Sequence, residues 1–240
     1  MRSVSRSDSR HTANFEESYP DFSPFHAEII KSVRAYTMTS PERLYALIDA
    51  ISYIVKNNVE GAIVECGVWR GGGMMAVMKT LLSLGIEDRE VYLYDTFEEG
   101  MTSPDPDKDI SWAGDEAGNV VRRWETSNEY PTLGEVKDNV YSTGYPPDNI
   151  YFIKGDVMHT LLNKTPKSIS LLRLDTDWCQ TTKFELEKLY PQLSQNGILI
   201  IDDYGHWKGA RQAVDEYFAE NNVRMFLSRV DYTCRLGVKH

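Results

Sequence analysis

The sequence is poor in cysteine, in long apolar runs and in basic charge, and each shortage excludes a class of protein. Its three cysteines, Cys66, Cys179 and Cys234, are odd in number and show no CxxC spacing, a pattern typical of free core thiols in a reduced, cytoplasmic protein. No apolar stretch approaches the roughly 18 residues of a membrane-spanning helix, and the N-terminus lacks the apolar core of a secretory signal. With 26 basic against 36 acidic residues, the chain carries a formal charge of −10, which does not favour nucleic acid as a partner.

The chain nevertheless contains enough apolar material for one large domain, since 41% of its 240 residues are hydrophobic. Residues 1–18 are polar, with arginines among serines, and are predicted to form a flexible tail, an ordered lid being the alternative. Residues 19–240 are predicted to form a single domain. From Pro24 to Asn57 the apolar residues recur at helical spacing in two blocks, and Ser40 followed by Pro41 is typical of the start of the second helix.

An alternation of short apolar runs and helical segments follows, and it predicts the fold class. Five runs are predicted to be parallel strands, at residues 61–66, 91–95, 149–154, 168–175 and 197–202. The intervening helical segments predict an α/β fold in which helices cover both faces of the sheet, at residues 72–84, 157–163, 180–190 and 207–221. Two further runs, at 223–230 and 233–239, are separated by a short connection, which predicts a closing antiparallel hairpin.

Acidic residues stand at or just beyond the ends of the first three predicted strands: Glu65, Asp95 and Asp156. Because ligands bind beyond the carboxyl ends of parallel strands, these acids are expected to line a site. The glycine-rich turn after the first strand, ECGVWRGGG (65–73), lacks the GxGxxG spacing of dinucleotide-binding proteins. Acids in these positions suit a nucleoside with a cationic arm, such as S-adenosylmethionine, rather than NAD. The alternatives are that each acid caps a helix and that the glycines serve tight packing.

The next two predicted strands end in denser acidic motifs, Asp175-Thr176-Asp177 and Asp202-Asp203. Adjacent strands lie about 4.8 Å apart, so these motifs are expected to face each other. Carboxylates crowded in this way repel one another unless a cation is present, and the hard cation Mg²⁺, with Mn²⁺ or Ca²⁺ as alternatives, prefers such oxygen ligands. The competing interpretation is that the aspartates cap the helices that follow. His206, close to the second motif, suits a base, a substrate contact or a helix cap.

Longer segments carry a resemblance to a known family. The chain closely resembles the macrocin O-methyltransferase family in TMTSPERLYAL (37–47), VECGVWRGGGMM (64–75), YDTFEEGM (94–101), LDTDW (174–178) and LYPQLSQNGILIIDDYGHWKGARQAVDEYF (189–218). The resemblance spans roughly residues 25–238. Members of that family methylate hydroxyls of deoxysugars on antibiotics such as macrolides and aminocoumarins.

The resemblance implies a Rossmann-like class I methyltransferase with a seven-stranded, mostly parallel sheet, a C-terminal antiparallel hairpin and an N-terminal helical extension or lid at 19–60. It also implies S-adenosylmethionine as methyl donor, Mg²⁺ that holds vicinal hydroxyls of a small sugar-like acceptor, an acceptor-side insertion at 100–145 and assembly as a homodimer. By motif position, the metal ligands would be Asp175, Asp202 and Asp203, and Asp177 the general base. The donor site would comprise Thr37, Met38, Thr39, Ser40, Glu65, Cys66, Gly67, Arg70, Gly71, Gly72, Asp95, Thr96, Phe97, Gly155, Asp156, Val157 and Asp175.

Two other functions are consistent with the motifs. A metal-dependent hydrolase would use the aspartate motifs beside a purely structural glycine loop, and it would not bind S-adenosylmethionine. A non-catalytic module would bind the donor without metal dependence or turnover. Binding of the donor and of the metal therefore separates the three functions.

Overall fold

A central sheet of seven strands organises the chain. The computed structural model describes residues 15–127 and 130–240. Its strands are β1 (Ala62–Cys66), β2 (Val91–Asp95), β3 (Ile150–Lys154), β4 (Ile169–Leu174), β5 (Leu193–Ile201), β6 (Ser228–Arg229) and β7 (Arg235–Val238). They lie in the order β3-β2-β1-β4-β5-β7-β6, with β1 to β5 parallel and β7 antiparallel to both of its neighbours. The predicted mostly parallel sheet with a closing antiparallel hairpin is confirmed.

Complete burial explains why the central strands are mostly apolar. Every residue of β1 and of β4 is buried, as expected for parallel strands covered on both faces. The first arm of the hairpin is shorter than predicted from residues 223–230. Of residues 223–230, only Ser228 and Arg229 pair with β7.

Helices cover both faces of this sheet. One face carries α2 (Pro24–Val33), α3 (Pro41–Lys56), α4 (Gly72–Ser83) and α6 (Leu133–Tyr141), whose buried side chains form one core cluster. The other carries α7 (Val157–Thr160), α8 (Cys179–Leu189) and α9 (Lys208–Glu220), which contribute to a second cluster. As predicted, Ser40 is the N-cap of α3 and Pro41 is its first residue. All three cysteines are buried and free, and among the described residues no helix is both long and apolar enough to cross a membrane.

The boundary of the predicted polar tail differs from the structure. Within the predicted range of 1–18, residues Phe15–Ser18 form a short helix, α1, and residues 1–14 lie outside the described residues. The ring of Phe15 contacts those of Tyr19 and Phe22, with centroids 5.0 Å and 6.1 Å away. An aromatic residue that can pack against neighbouring rings therefore orders the end of a segment whose composition is polar.

The topology fixes where a ligand can bind. Strand β1 lies between β2 and β4, and such a reversal of strand order opens a crevice at the carboxyl ends of the strands. The insertion predicted at 100–145 contains α5 (Ala117–Ser127) as well as α6. A β-bridge from Ser111 to Trp207 fastens the insertion to the loop after β5. The insertion therefore lies beside that crevice.

Candidate active site

A cavity of about 510 Å³ occupies this crevice, a size ordinary for small-molecule sites. Its walls come from the loops after the five parallel strands, from the segment Thr37–Thr39 before α3, and from the insertion. One end lies at the loops after β1, β2 and β3 and is called the donor end below. The other lies at the loops after β4 and β5 and is called the metal end.

The loop after β1 is held at the donor end by a neighbouring carboxylate. Asp95 Oδ2 accepts hydrogen bonds from the backbone amides of Val68 and Trp69, at 2.6 Å and 2.8 Å. Gly67, with φ of +86°, packs so tightly that a Cβ atom would lie 2.0 Å from the carbonyl oxygen of Asp175. This glycine is thus required both by its backbone conformation and by the close approach of two loops.

Among the acids of the donor end, Glu65 is the one with a buried oxygen that has no hydrogen-bond partner. Its side chain is buried, and its Oε1 atom accepts from Arg173. The second oxygen, Oε2, is buried without a hydrogen-bond partner at the wall of the cavity. Burial raises the pKa of Glu65 to about 7. A cationic group bound beside Oε2 would supply the missing partner and stabilise the ionised form.

The predicted donor-site residues divide into two groups. Those that line the cavity are Thr37, Met38, Thr39, Glu65, Gly67, Asp95, Thr96, Phe97, Gly155, Val157 and Asp175. The others have structural contacts: Ser40 caps α3, Asp156 caps α7, Cys66 lies in the core, Arg70 stacks on Trp69, and Gly71 and Gly72 pack against Val140 and the Tyr36–Thr37 backbone.

At the metal end, the structure brings Asp175, Asp202 and Asp203 together, with one oxygen of each within 4.8 Å of the others. None of them caps a helix, because the N-caps of α8 and α9 are Trp178 and Trp207. The first amide of α8 is instead satisfied by Asp109 of the insertion, 2.8 Å away. The helix-cap interpretation of the aspartate motifs is therefore wrong.

The donor set of this cluster fits a hard divalent cation. Asp203 Oδ2 is buried without a hydrogen-bond partner. Burial and the neighbouring carboxylates raise the pKa of Asp203 well above its ordinary value, and burial raises that of Asp175 in the same way despite the opposing charge of Arg173. Such groups must either take up protons or bind a cation, and all-oxygen carboxylate ligands suit Mg²⁺.

Asp177 lies beside this cluster but has different contacts. Its Oδ1 atom accepts a hydrogen bond from Trp207 Nε1 at 3.0 Å. Burial raises its pKa to about 6, which is closer to neutrality than an ordinary aspartate and suits a general base. Its backbone has φ of +69°, and the other described residues with positive φ, besides glycine and asparagine, are Trp69 and Phe97. All three line the cavity, where backbone strain is commonly kept for function.

Two arginines at the site escaped the sequence analysis. Arg173 is the last residue but one of β4, and a charged residue inside a buried, mostly apolar strand requires charged partners. This pattern in the sequence could have identified it. It contacts Glu65, Asp175 and Asp202, so one guanidinium joins both ends of the cavity. Arg43, in the first turn of α3, contacts Asp202 and Asp231, and no local pattern in the sequence predicts this.

Aromatic rings line the side of the cavity that faces the insertion. Trp124 packs edge to face against Trp69, with ring centroids 6.2 Å apart, and is 5.7 Å from Tyr130. Near the acidic cluster, Trp178 and Trp207 are buried and in contact. His206 also lines the cavity, and burial lowers its pKa. Rings beside carboxylates are suited to binding a sugar ring and its hydroxyls.

Comparison with known proteins identifies similar chains. The family model described as "Macrocin-O-methyltransferase (TylF)" matches residues 10–236. The chain is 32% identical over 197 residues to demethyldecarbamoylnovobiocin O-methyltransferase from Streptomyces niveus, which covers 82% of this chain and 73% of that enzyme. It is 32% identical over 200 residues to a 4'-O-methyltransferase that acts on a rhamnosyl tetracenomycin C in Streptomyces olivaceus, covering 83% and 74% of the two chains. The solved structure of the O-methyltransferase NovP superposes with a TM-score of 0.74 at 28% identity, covering 85% of this chain and 82% of NovP.

Proposed function

The chain belongs to the macrocin O-methyltransferase family, and from that premise we propose that it methylates a hydroxyl of a deoxysugar on a small natural product, with Mg²⁺ at the acidic cluster. It is an S-adenosylmethionine-dependent O-methyltransferase. The observation that carries the finer proposal is one cavity with an unpartnered, buried carboxylate oxygen at each end, on Glu65 and on Asp203. Family membership decides against the hydrolase alternative.

The donor end accounts for binding of S-adenosylmethionine. Glu65 Oε2 is the group that would accept the donor's ammonium, because it is buried, negatively charged when paired, and otherwise without a partner. Asp95 holds the loop after β1 through Oδ2, and its Oδ1 atom accepts from the backbone amide of Phe97 at 2.6 Å. In the proposed complex it also accepts a hydrogen bond from a ribose hydroxyl. The segment Thr37–Thr39 lies along the same wall and would enclose the methionine part of the donor.

The transfer itself needs a base and an aligned nucleophile. In the proposed reaction, Asp177 accepts the proton of the acceptor hydroxyl, whose oxygen attacks the sulfonium methyl as the methyl–sulfur bond breaks. S-adenosylhomocysteine leaves with the electron pair on sulfur. The hydrogen bond from Trp207 Nε1 to Oδ1 orients the carboxylate of Asp177 for this proton transfer. Holding donor and acceptor together in one cavity can lower the activation barrier by about 7–11 kcal/mol.

The metal end accounts for the preference for a hydroxyl. Asp175, Asp202 and Asp203 would hold the cation, which when bound would lower the pKa of a coordinated hydroxyl and neutralise the crowded carboxylates. Trp178 and Trp207 exclude water from one side of this cluster. These residues therefore make proton transfer to Asp177 feasible near neutral pH.

The lining of the cavity and the names of two relatives support the proposed acceptor class. Those names describe methylation of demethyldecarbamoylnovobiocin and of a rhamnosyl tetracenomycin C. In this chain, Trp69, Trp124 and Tyr130 provide aromatic faces for a sugar or for a planar aglycone. We further propose that the enzyme acts in the cytoplasm as a homodimer, which light scattering of the purified protein checks.

The proposal is tested with methyl-labelled S-adenosylmethionine and a panel of aromatic rhamnosides. Mass spectrometry is expected to find the label on a sugar hydroxyl when Mg²⁺ is present and to find none in excess EDTA. S-adenosylhomocysteine is expected to raise the melting temperature, and NAD is not. Label transfer that persists fully in EDTA, or equal stabilisation by NAD, would contradict the proposal.

A further inference from the structure

The carboxylate of Asp202 is bound on both sides by arginine. Its Oδ1 atom accepts from Arg173 Nη2 at 2.6 Å, and its Oδ2 atom accepts from Arg43 Nη1. Only 4% of the Asp202 side chain is exposed. A cation held by Asp175, Asp202 and Asp203 needs an oxygen of this same carboxylate, so at least one guanidinium is a competitor for it.

The two arginines are not equally free to move. Arg173 is buried within β4 and also bonds Glu65, Asp175 (2.7 Å) and Thr39 (3.0 Å). Its departure from Asp202 would break a network that includes both ends of the cavity. Arg43 has none of these contacts, and its side chain is 16% exposed against 4% for Arg173. Arg43 is therefore the exchangeable partner.

A second carboxylate already holds the stem of Arg43. Asp231, in the turn between β6 and β7, has its Oδ2 atom 3.1 Å from Arg43 Nε. Asp231 is itself fixed, because its Oδ1 atom accepts from the backbone amides of Thr233 and Cys234 at 2.9 Å and 2.8 Å. Arg43 can thus give up Asp202 and keep a charged hydrogen bond, which lowers the penalty of leaving.

On the basis of the metal site proposed above, we infer that Arg43 competes with the divalent cation for Asp202 and that Asp231 retains the Arg43 guanidinium when the cation binds. Two positive charges on one carboxylate oxygen repel each other, so exchange is favoured over sharing. At low cation concentration Arg43 then neutralises the charge of Asp202. By competing for this carboxylate it lowers the affinity of the site for the divalent cation. Ser40 stays anchored, because its hydroxyl donates to Asp231 and not to Asp202.

Binding of Mn²⁺ to the full chain, measured from the electron paramagnetic resonance signal of the free ion without donor or acceptor, tests this inference. Arg43→Gln removes the competitor and is expected to tighten Mn²⁺ binding by about tenfold, whereas Arg43→Lys keeps the charge and stays close to wild type. Asp231→Asn removes the second partner and is expected to weaken binding by about threefold. Equal or weaker binding by Arg43→Gln would show that Arg43 merely supports Asp202 and would overturn the inference.

Arg34→Gln is the matched control. Arg34 bonds the backbone oxygen of Thr39, so this variant loosens the same segment and removes the same charge without touching Asp202. Its Mn²⁺ affinity is expected to equal that of wild type; tightening equal to that of Arg43→Gln would overturn the inference. Should Arg43→Gln not fold, tighter binding by Asp231→Asn than by wild type overturns it instead. Absence of Mn²⁺ binding in wild type and every variant would overturn the proposed metal site itself, whereas binding in wild type that Arg43→Gln leaves unchanged overturns the exchange alone.

Discussion

Both ends of the cavity contain acidic residues, but the contacts of these residues differ between the two ends. At the donor end, Asp95 is committed to loop amides and Asp156 to the start of α7, so that Glu65 alone keeps an unpartnered oxygen. At the metal end, no aspartate caps a helix, and three carboxylates converge. An acid at the end of a strand is thus left for a ligand to the extent that backbone amides do not use its oxygens. Asp95 is intermediate, because it bonds loop amides and is also proposed to accept from the ribose.

The largest expected effect comes from removing an acid at the metal end. Asp202→Ala leaves the buried guanidinium of Arg173 without one of its partners, and breaking such a pair typically lowers the free energy of unfolding by about 3–5 kcal/mol. Turnover should also fall to background because the cation site loses a ligand. Urea denaturation and the methyl-transfer assay measure the two losses. Wild-type turnover in this variant would show that the reaction does not need the carboxylate of Asp202 at the metal end.

Substitution of Asp177 distinguishes a role in proton transfer from a role in binding at the metal end. Asp177→Asn keeps the size and the acceptor oxygen that bonds Trp207, so Mn²⁺ and donor affinity should hold. Turnover should fall by about 10²–10⁴, the usual contribution of a general base. Steady-state kinetics with an acceptor that wild type methylates provide the measurement, and His206→Ala is the companion variant. If Asp177→Asn turns over normally while His206→Ala is inactive, His206 is the base.

Behind the metal end, Glu185 supports the loop after β4 without lining the cavity. It accepts a hydrogen bond from Thr176 at 2.9 Å, and burial raises its pKa to about 8. Between its ordinary pKa of 4.5 and about 8, the unfolded chain ionises this group while the folded chain keeps the proton, so its contribution to stability falls as pH rises.

Glu185→Gln should remove that part of the pH dependence. The free energy of unfolding of the variant, relative to that of wild type, should increase by about 3–4 kcal/mol between pH 5 and pH 8. Denaturation curves at four pH values give the difference. A constant difference across this range would mean that Glu185 is ionised in the folded protein.

The smallest expected effect is at the donor end. Asp156→Ala removes the hydrogen bond to the amide of Met158 at the start of α7 and should lower stability by about 1 kcal/mol, as for other helix N-caps. Affinity for S-adenosylhomocysteine should not change. Thermal unfolding and calorimetric titration give both values. A large loss of affinity would place Asp156 with Glu65 among the ligand-binding acids.

Much of this arrangement is readable from the sequence, and the exceptions have physical causes. The buried parallel strands predict the sheet, and Ser40-Pro41 predicts the start of α3, because both are local patterns. Asp95 bonds the amide of Phe97 two residues later, but its role in holding the loop after β1 is not local, since those amides lie 26 and 27 residues earlier in the chain. The same holds for Asp109, which satisfies α8 from the insertion across 70 residues, and for the pairing of Arg43 with Asp202 across 159. Contacts between loops that follow different strands depend on the folded sheet, so no regular spacing in the sequence indicates them.

Crossed titrations decide whether the two ends of the cavity bind two different groups, even though Arg173 bonds an acid at each end. Calorimetry with S-adenosylhomocysteine and paramagnetic resonance with Mn²⁺ are applied to wild type, Glu65→Gln and Asp202→Ala. Glu65→Gln should weaken the nucleoside by about 10- to 100-fold, the effect of losing one charge-assisted hydrogen bond, and should retain Mn²⁺. Asp202→Ala should lose Mn²⁺ and retain the nucleoside. Loss of both ligands in each folded variant, or loss of neither, would contradict the account.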